Sequence, residues 1–134
     1  AAPTRITIRH STFACLRANV PNVLTVVATD QHDKLFRSSN SGPEVDIAAP
    51  GVDILGIGEK GTYSRSTGSG HAAAVVAGVA ALVKSIRPDL TVRDVKEILK
   101  ASAKSLPYDS NQIGAGRVDA LAAVRLAKTY RTPE

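Results

Sequence analysis

Residues 72–86 read AAAVVAGVAALVKSI, apolar around nearly the whole circumference of a helix, with Gly78 inside the run. A helix on a protein surface keeps a polar stripe for water, and this one has none before Lys84. The run therefore predicts a helix buried on all sides and approached closely by other backbone at Gly78. Only a layered fold surrounds a helix in that way, and the composition agrees with one. Of the 134 residues 43% are hydrophobic and only 4% aromatic, without Trp or Met. Small aliphatic side chains let helices and strands lie close together, which favours α/β layering.

The other segments supply the remaining layers. Residues 20–28, VPNVLTVVA, form a dense β-branched run that fits a strand buried on both faces. A loop-rich stretch over 34–51 holds a turn at 40–43, a short strand over 45–48 and a second turn at Pro50-Gly51. Residues 52–57 and 62–66 flank a Gly58-to-Gly61 turn and predict a hairpin. Pro88 stops the apolar helix, and Thr91 with Asp94 three residues on predicts a capping box ahead of Val95, Ile98 and Leu99. A last helix is expected over 118–128, after the Gly114-Ala115-Gly116 turn. Ile6 and Ile8 alternate as in a short strand, but residues 1–20 are otherwise poorly defined. With no internal repeat and no linker, residues 1–134 are one domain or a fragment of one.

Several function classes fall away. The net charge is +5, but the seventeen Lys and Arg residues are spread along the chain without a cluster or a stacking platform, so a solvated basic surface is expected and nucleic-acid binding is not. The single Cys15 cannot form an internal disulfide, and no Cys/His spacing suggests a metal, so neither metal nor cofactor is expected. No apolar run reaches the roughly 18 residues of a membrane span, and no charged-then-apolar leader opens the chain. The first residue is Ala1, not Met, as in a processed, truncated or recombinant piece.

Four segments, in order, resemble the subtilisin-like serine proteases and together reach from about Phe13 to about Val124. NVLTVVATD at 22–30 is similar to a strand of that family. SNSGPEVDIAAPGVDI at 39–54 is similar to its S-N-x-G-P turn followed by A-P-G and a strand. GSGHAAAVVAGVAALV at 68–83 aligns without a gap on the family's G-T-S-M-A-A-P-V-V-A-G-V-A-A-L-V. PDLTVRDVKEIL and GAGRVDALAAV match its last two helices. The resemblance implies a partial three-layer subtilisin-like α/β fold: parallel strands, a buried central helix and two covering helices. It also implies an ancestral serine endopeptidase activity, in a family most often secreted.

Such hydrolysis needs an activated hydroxyl, an imidazole, an orienting carboxylate and oxyanion donors. The resemblance places the family's Asp and His in D-T/S-G and H-G-T-H contexts of its N-terminal half, and neither context occurs here. It places the nucleophile at Gly70, which has no side chain. Ser69 stands one residue away as a substitute nucleophile, but would turn its hydroxyl in another direction. His71, two residues from Ser69, does not face it on a helix, and Ala74 replaces the family's Pro. Thr4 falls where the family carries its oxyanion Asn, whose loss in other enzymes costs about 2.7–4 kcal/mol of transition-state stabilisation. Asp30, Asp33, Glu44, Asp46 and Asp53 match no cation loop and read as turn or solvent-facing carboxylates.

The chain alone is thus expected to be inactive, as a pseudoprotease or a fragment. A non-catalytic peptide- or protein-binding module is the alternative. The apolar helix, only partly covered by so few strands, is expected to be completed by an N-terminal peptidase half or by self-association, with a peptide as a further ligand.

Overall fold

The computed structural model describes residues 5–10, 20–37, 39 and 41–134. Its centre is a parallel sheet ordered β1-β2-β3, formed by β1 (Thr7–His10), β2 (Val23–Thr29) and β3 (Ile47–Pro50). Thr7 stands opposite Val23, and Val26 opposite Ile47. β4 (Ile54–Ile57) and β5 (Tyr63–Ser66) pair antiparallel as a separate hairpin around a 3-10 turn at Glu59–Gly61. Helices α1 (Ser69–Ile86), α2 (Val92–Ala101), α3 (Ser110–Ile113) and α4 (Ala120–Thr129) follow.

β2 is buried from Leu24 to Thr29, because side chains alternate across a strand and both faces of this one are covered. Leu24, Val26 and Ala28 join Ile47 and Ala49 in a core with α1, α2 and α4. Val27 faces the other way, into a smaller cluster of Val45, Ala48, Leu106 and Ile113. The layers are therefore helices, sheet, and a thinner layer of α3 and coil, as expected of a partial three-layer α/β fold.

The far edge of β3 is closed by the chain after α3. Ala48 N–H donates to Gly116 O at 2.8 Å, and Val118 N–H to Ala48 O at 2.8 Å. Gly114, at φ +62°, makes this return possible, since a Cβ there would fall on the Asp46 carbonyl.

Several expectations about element bounds are corrected. α1 begins at Ser69, three residues before the apolar run, and so reaches 18 residues; by length and apolarity alone it would pass for a membrane span. Its packing on β1, β2, β3 and α4 makes it a core helix of the α/β layer. It is not buried all round: Ala72, Ala73, Val76, Val79, Ala80 and Val83 are buried, while Ala74, Ala77, Gly78, Ala81 and Leu82 are exposed. A three-stranded sheet and two helices cannot enclose a helix. Among the described residues a Cβ on Gly78 would consequently meet nothing within 4 Å, so the expected close approach of other backbone is not found there. β2 begins at Val23, because Val23 N–H turns back to Val20 O. β3 runs over 47–50 where 45–48 was expected, and the last helix over 120–129.

The capping box forms as expected. Asp94 N–H donates to Thr91 Oγ1 at 3.1 Å, and Thr91 N–H to Asp94 Oδ2 at 2.9 Å. Thr132 Oγ1 is a second donor to the Asp94 carboxylate, at 2.8 Å, clipping the C-terminal tail to α2. Burial pushes the Asp94 carboxyl up, but these hydrogen bonds from Thr91 and Thr132 outweigh it and hold it below its usual value. A carboxylate depressed on folding stabilises above its unfolded pKa of about 3.9 and loses that contribution as pH falls through the folded value. Urea titrations below pH 5 should show this acid-side loss, and Asp94→Asn should flatten it. Thr91→Ala should cost about 1 kcal/mol at neutral pH.

Candidate active site

β2 and β3 end side by side at Thr29 and Pro50, and α1 begins against those ends. In parallel α/β sheets this carboxyl-end crevice is where ligands bind. Gly51 fixes the arrangement: its N–H donates to Thr29 O at 3.0 Å, and its carbonyl accepts from Gly68 N–H at 2.8 Å. A Cβ on Gly51 would lie 2.7 Å from Gly68 O, 2.8 Å from Ala28 Cβ and 3.0 Å from Ala72 Cβ. Only glycine lets the strand ends and the helix entry come this close.

The helix opens without a side-chain cap, from Gly68 in an extended conformation. Gly70 is exposed, and a Cβ there would meet nothing within 4 Å. Nothing in the packing therefore demands glycine at this position. Ser69 is half-buried and His71 exposed, and among the described residues no hydrogen bond joins them. Thr4 lies outside the described residues. His32 is exposed on the turn after β2, where its backbone N–H, not its ring, donates to Asp30 Oδ1 at 2.8 Å. Among the described residues no carboxylate is ion-paired with an imidazole.

The acidic residues hold the scaffold. Asp30 accepts from Lys34 N–H at 2.9 Å and from His32 N–H, and the Lys34 hydrogen bond, ahead of the others, lowers its carboxyl below the usual range. Asp33, at φ +61°, pairs with Arg117 and, at 3.7 Å, with Lys104. Asp46 accepts from Thr25 N–H at 2.8 Å and faces Lys96 at 3.4 Å, fastening α2 to the sheet. Asp53 meets Arg65 at 3.5 Å across the base of the hairpin. Asp89, in the turn between α1 and α2, is held down to about 2 by the hydrogen bonds of the Arg87 guanidinium. Among the described residues no three His, Cys, Asp or Glu side chains gather as a metal site would need. Thr29 Oγ1 is buried without a partner among the described residues; it shares its strand face with Val27, away from α1.

Sequence reasoning did not single out Gly51 as the residue that sets this geometry. The signal was the Pro50-Gly51 pair closing a strand, which reads locally as a turn.

Fold and site together define an α/β protein whose candidate site is the entry of a core helix beside two parallel strand ends. The Subtilase family profile of peptidase S8 matches residues 11–116, and the chain belongs to that family. It is 35% identical over 115 residues to the halolysin-like extracellular serine protease Nep of Natrialba magadii, covering 86% of this chain and 21% of that one. Subtilisin Savinase of Lederbergia lenta is 38% identical over 108 residues, with 81% and 40% covered. Among solved structures, MycP1 of Mycobacterium smegmatis superposes with a TM-score of 0.74 at 34% identity, over 84% of this chain and 31% of that one. The prenylagaramide maturation protease PagA gives 0.77 at 30% identity, over 90% and 50%. The chain thus spans well under half the length of these two curated relatives.

Two glycines at the site should behave oppositely. Gly51→Ala should destabilise by about 1–3 kcal/mol through overpacking. Gly70→Ser, in open space, should stay within about 0.5 kcal/mol of the parent. Urea midpoints at constant slope would measure both, and equal effects would refute the assigned geometry.

Proposed function

We propose that this chain is the C-terminal part of a subtilisin-like peptidase domain that does not cleave peptides by itself, a pseudoprotease or fragment whose scaffold outlasts its chemistry. What supports this above the rest is the gapless resemblance over 68–83, which puts the family's nucleophile at Gly70, a residue without a side-chain oxygen. An acyl-enzyme forms only when a hydroxyl oxygen attacks the carbonyl carbon while a base takes its proton. Ser69 does not replace that oxygen. Successive helical residues point about 100° apart, so its hydroxyl leaves the direction that a residue-70 side chain would take. Donors at a helix start can hold a carbonyl, but without an attacking atom a bound peptide stays whole.

The reading includes a partner. The exposed stripe of α1 is apolar along its length, with Leu82 at 50% exposure, and an N-terminal peptidase half would cover it.

A fluorophosphonate probe tests the inactive state, because it reacts with a serine only when that serine is activated. Neither the parent chain nor Gly70→Ser should be labelled, since restoring the hydroxyl supplies no base. Stoichiometric labelling of the parent would overturn the proposal. Labelling of Gly70→Ser alone would show that an imidazole is in place and that the chain lacks only its nucleophile.

A further inference from the structure

The described residues form an apolar projection and an apolar hollow, set at different places along α1. The projection is the hairpin. Ile57 stands opposite Tyr63 and Leu55 opposite Arg65, so Leu55, Ile57 and Tyr63 share one face, and all three are exposed. The tip keeps its shape through its own hydrogen bonds: Gly58 N–H donates to Thr62 O at 2.6 Å, and Thr62 Oγ1 to Glu59 O at 2.7 Å. The hollow is a cavity of about 740 Å³, lined chiefly by Ile6, Ile8, Ala77, Ala81, Leu90 and Val92. Its charged lining groups are already engaged: Lys84 Nζ donates to Pro88 O and Leu90 O, and Asp89 is held by Arg87. The hairpin runs into the start of α1 at Ser69, whereas the hollow begins at Ala77, about 12 Å further on at about 1.5 Å of rise per residue. No described hairpin residue lines the hollow.

We propose that the hollow of one copy of this chain receives the hairpin of a second copy, with Ile57 and Tyr63 as the inserted side chains. Either feature alone says little, since single apolar side chains are common on protein surfaces. Together they are complementary. A preformed convex tip meets a concavity whose α1 wall, at Ala77, Ala80 and Ala81, bears no bulky side chain. Its volume falls in the range of sites that bury whole small molecules, which leaves room for both inserted side chains. Docking removes from water two apolar surfaces that each copy alone leaves exposed. Charge sets the orientation. Glu59 at the tip, and Arg5 and Arg93 next in sequence to lining residues, are exposed and make no ion pair among the described residues. Insertion brings these opposite charges together at the rim. The contact is head-to-tail, so each added copy leaves a free hairpin at one end and a free hollow at the other, and the assembly grows as an open chain. The inference goes beyond the reading above, whose fluorophosphonate test gives the same answer whether or not copies associate.

Light scattering on the full chain across a concentration series tests this. The average mass should rise above the 14.0 kDa of one chain and continue past the dimer. Ile57→Asp removes the projection and Ala81→Glu blocks the hollow; both residues are exposed, and an unchanged circular dichroism spectrum would show that the fold persists. Each variant alone should be monomeric. Mixed, they should form a heterodimer and stop there, because the first variant keeps its hollow and the second its hairpin. Glu59→Lys should weaken association severalfold, most at low salt, and adding Arg5→Glu and Arg93→Glu to the same chain should recover it. A parent that stays monomeric at every concentration overturns the proposal. So does association that either single variant leaves unchanged, which would place the contact elsewhere. Folded variants that remain monomeric when mixed overturn it as well, since a two-fold contact of one surface with itself is not restored by mixing.

Discussion

The closeness with which α1 lies on β2 and β3 governs the rest of this fold. At Gly51 the end of β3, the end of β2 and the first turn of α1 meet with no room for a methyl group. The same closeness continues along the helix, where Ala72, Ala73, Val76 and Ala80 face Val26, Ala28 and Ala49. Small side chains are thus a geometric requirement, since bulkier ones would lift the helix off the sheet and open voids that interiors do not tolerate. The requirement also fixes the candidate site, because the direction of Gly70 is set by a helix whose entry cannot shift without colliding with a strand end.

Local signals were the most legible in the sequence. The Thr91/Asp94 capping box, the hairpin around Gly58 and Gly61 and the buried run of β2 depend on neighbours a few residues away. The start of α1 was missed because Gly68-Ser69-Gly70-His71 offers no capping side chain. α3 was overlooked although Asp109 and Gln112 form a capping box, since four residues with one buried Ile113 show no periodicity. The roles of Asp33 and Asp46 were out of reach, for their partners Arg117 and Lys96 stand far along the chain. The expected burial of α1 failed for a different reason: apolarity around a helix records the surroundings that the sequence suits, and the described chain supplies only part of them.

Family membership makes that mismatch intelligible without deciding what the chain does. Sheet, core helix and covering helices superpose on solved proteases, so the physics that holds the scaffold is intact. Catalysis depends on a few atoms that this physics does not protect. Gly70 contributes nothing to packing, and its open surroundings would accept a serine as readily as they accept glycine. A scaffold's stability and its chemistry thus rest on different atoms, which is why fold alone does not establish activity.

Two exposed apolar regions among the described residues are not equivalent. The hairpin carries Leu55, Ile57 and Tyr63 on one face, with Ile57 at 87% and Tyr63 at 75% exposure, but no described cavity adjoins it. Apolar residues scattered on a projecting hairpin are ordinary for a protein surface. At β1 an apolar stripe and a cavity lie beside a strand edge that, among the described residues, pairs with no other strand, and open edges are features that folded proteins normally block with charge, proline or a covering segment. β1 has no proline, and its half-buried Ile8 packs against the main core and lines the cavity. The sheet's other edge is sealed by the chain's own residues 116–118, which shows how an edge is closed within the same fold.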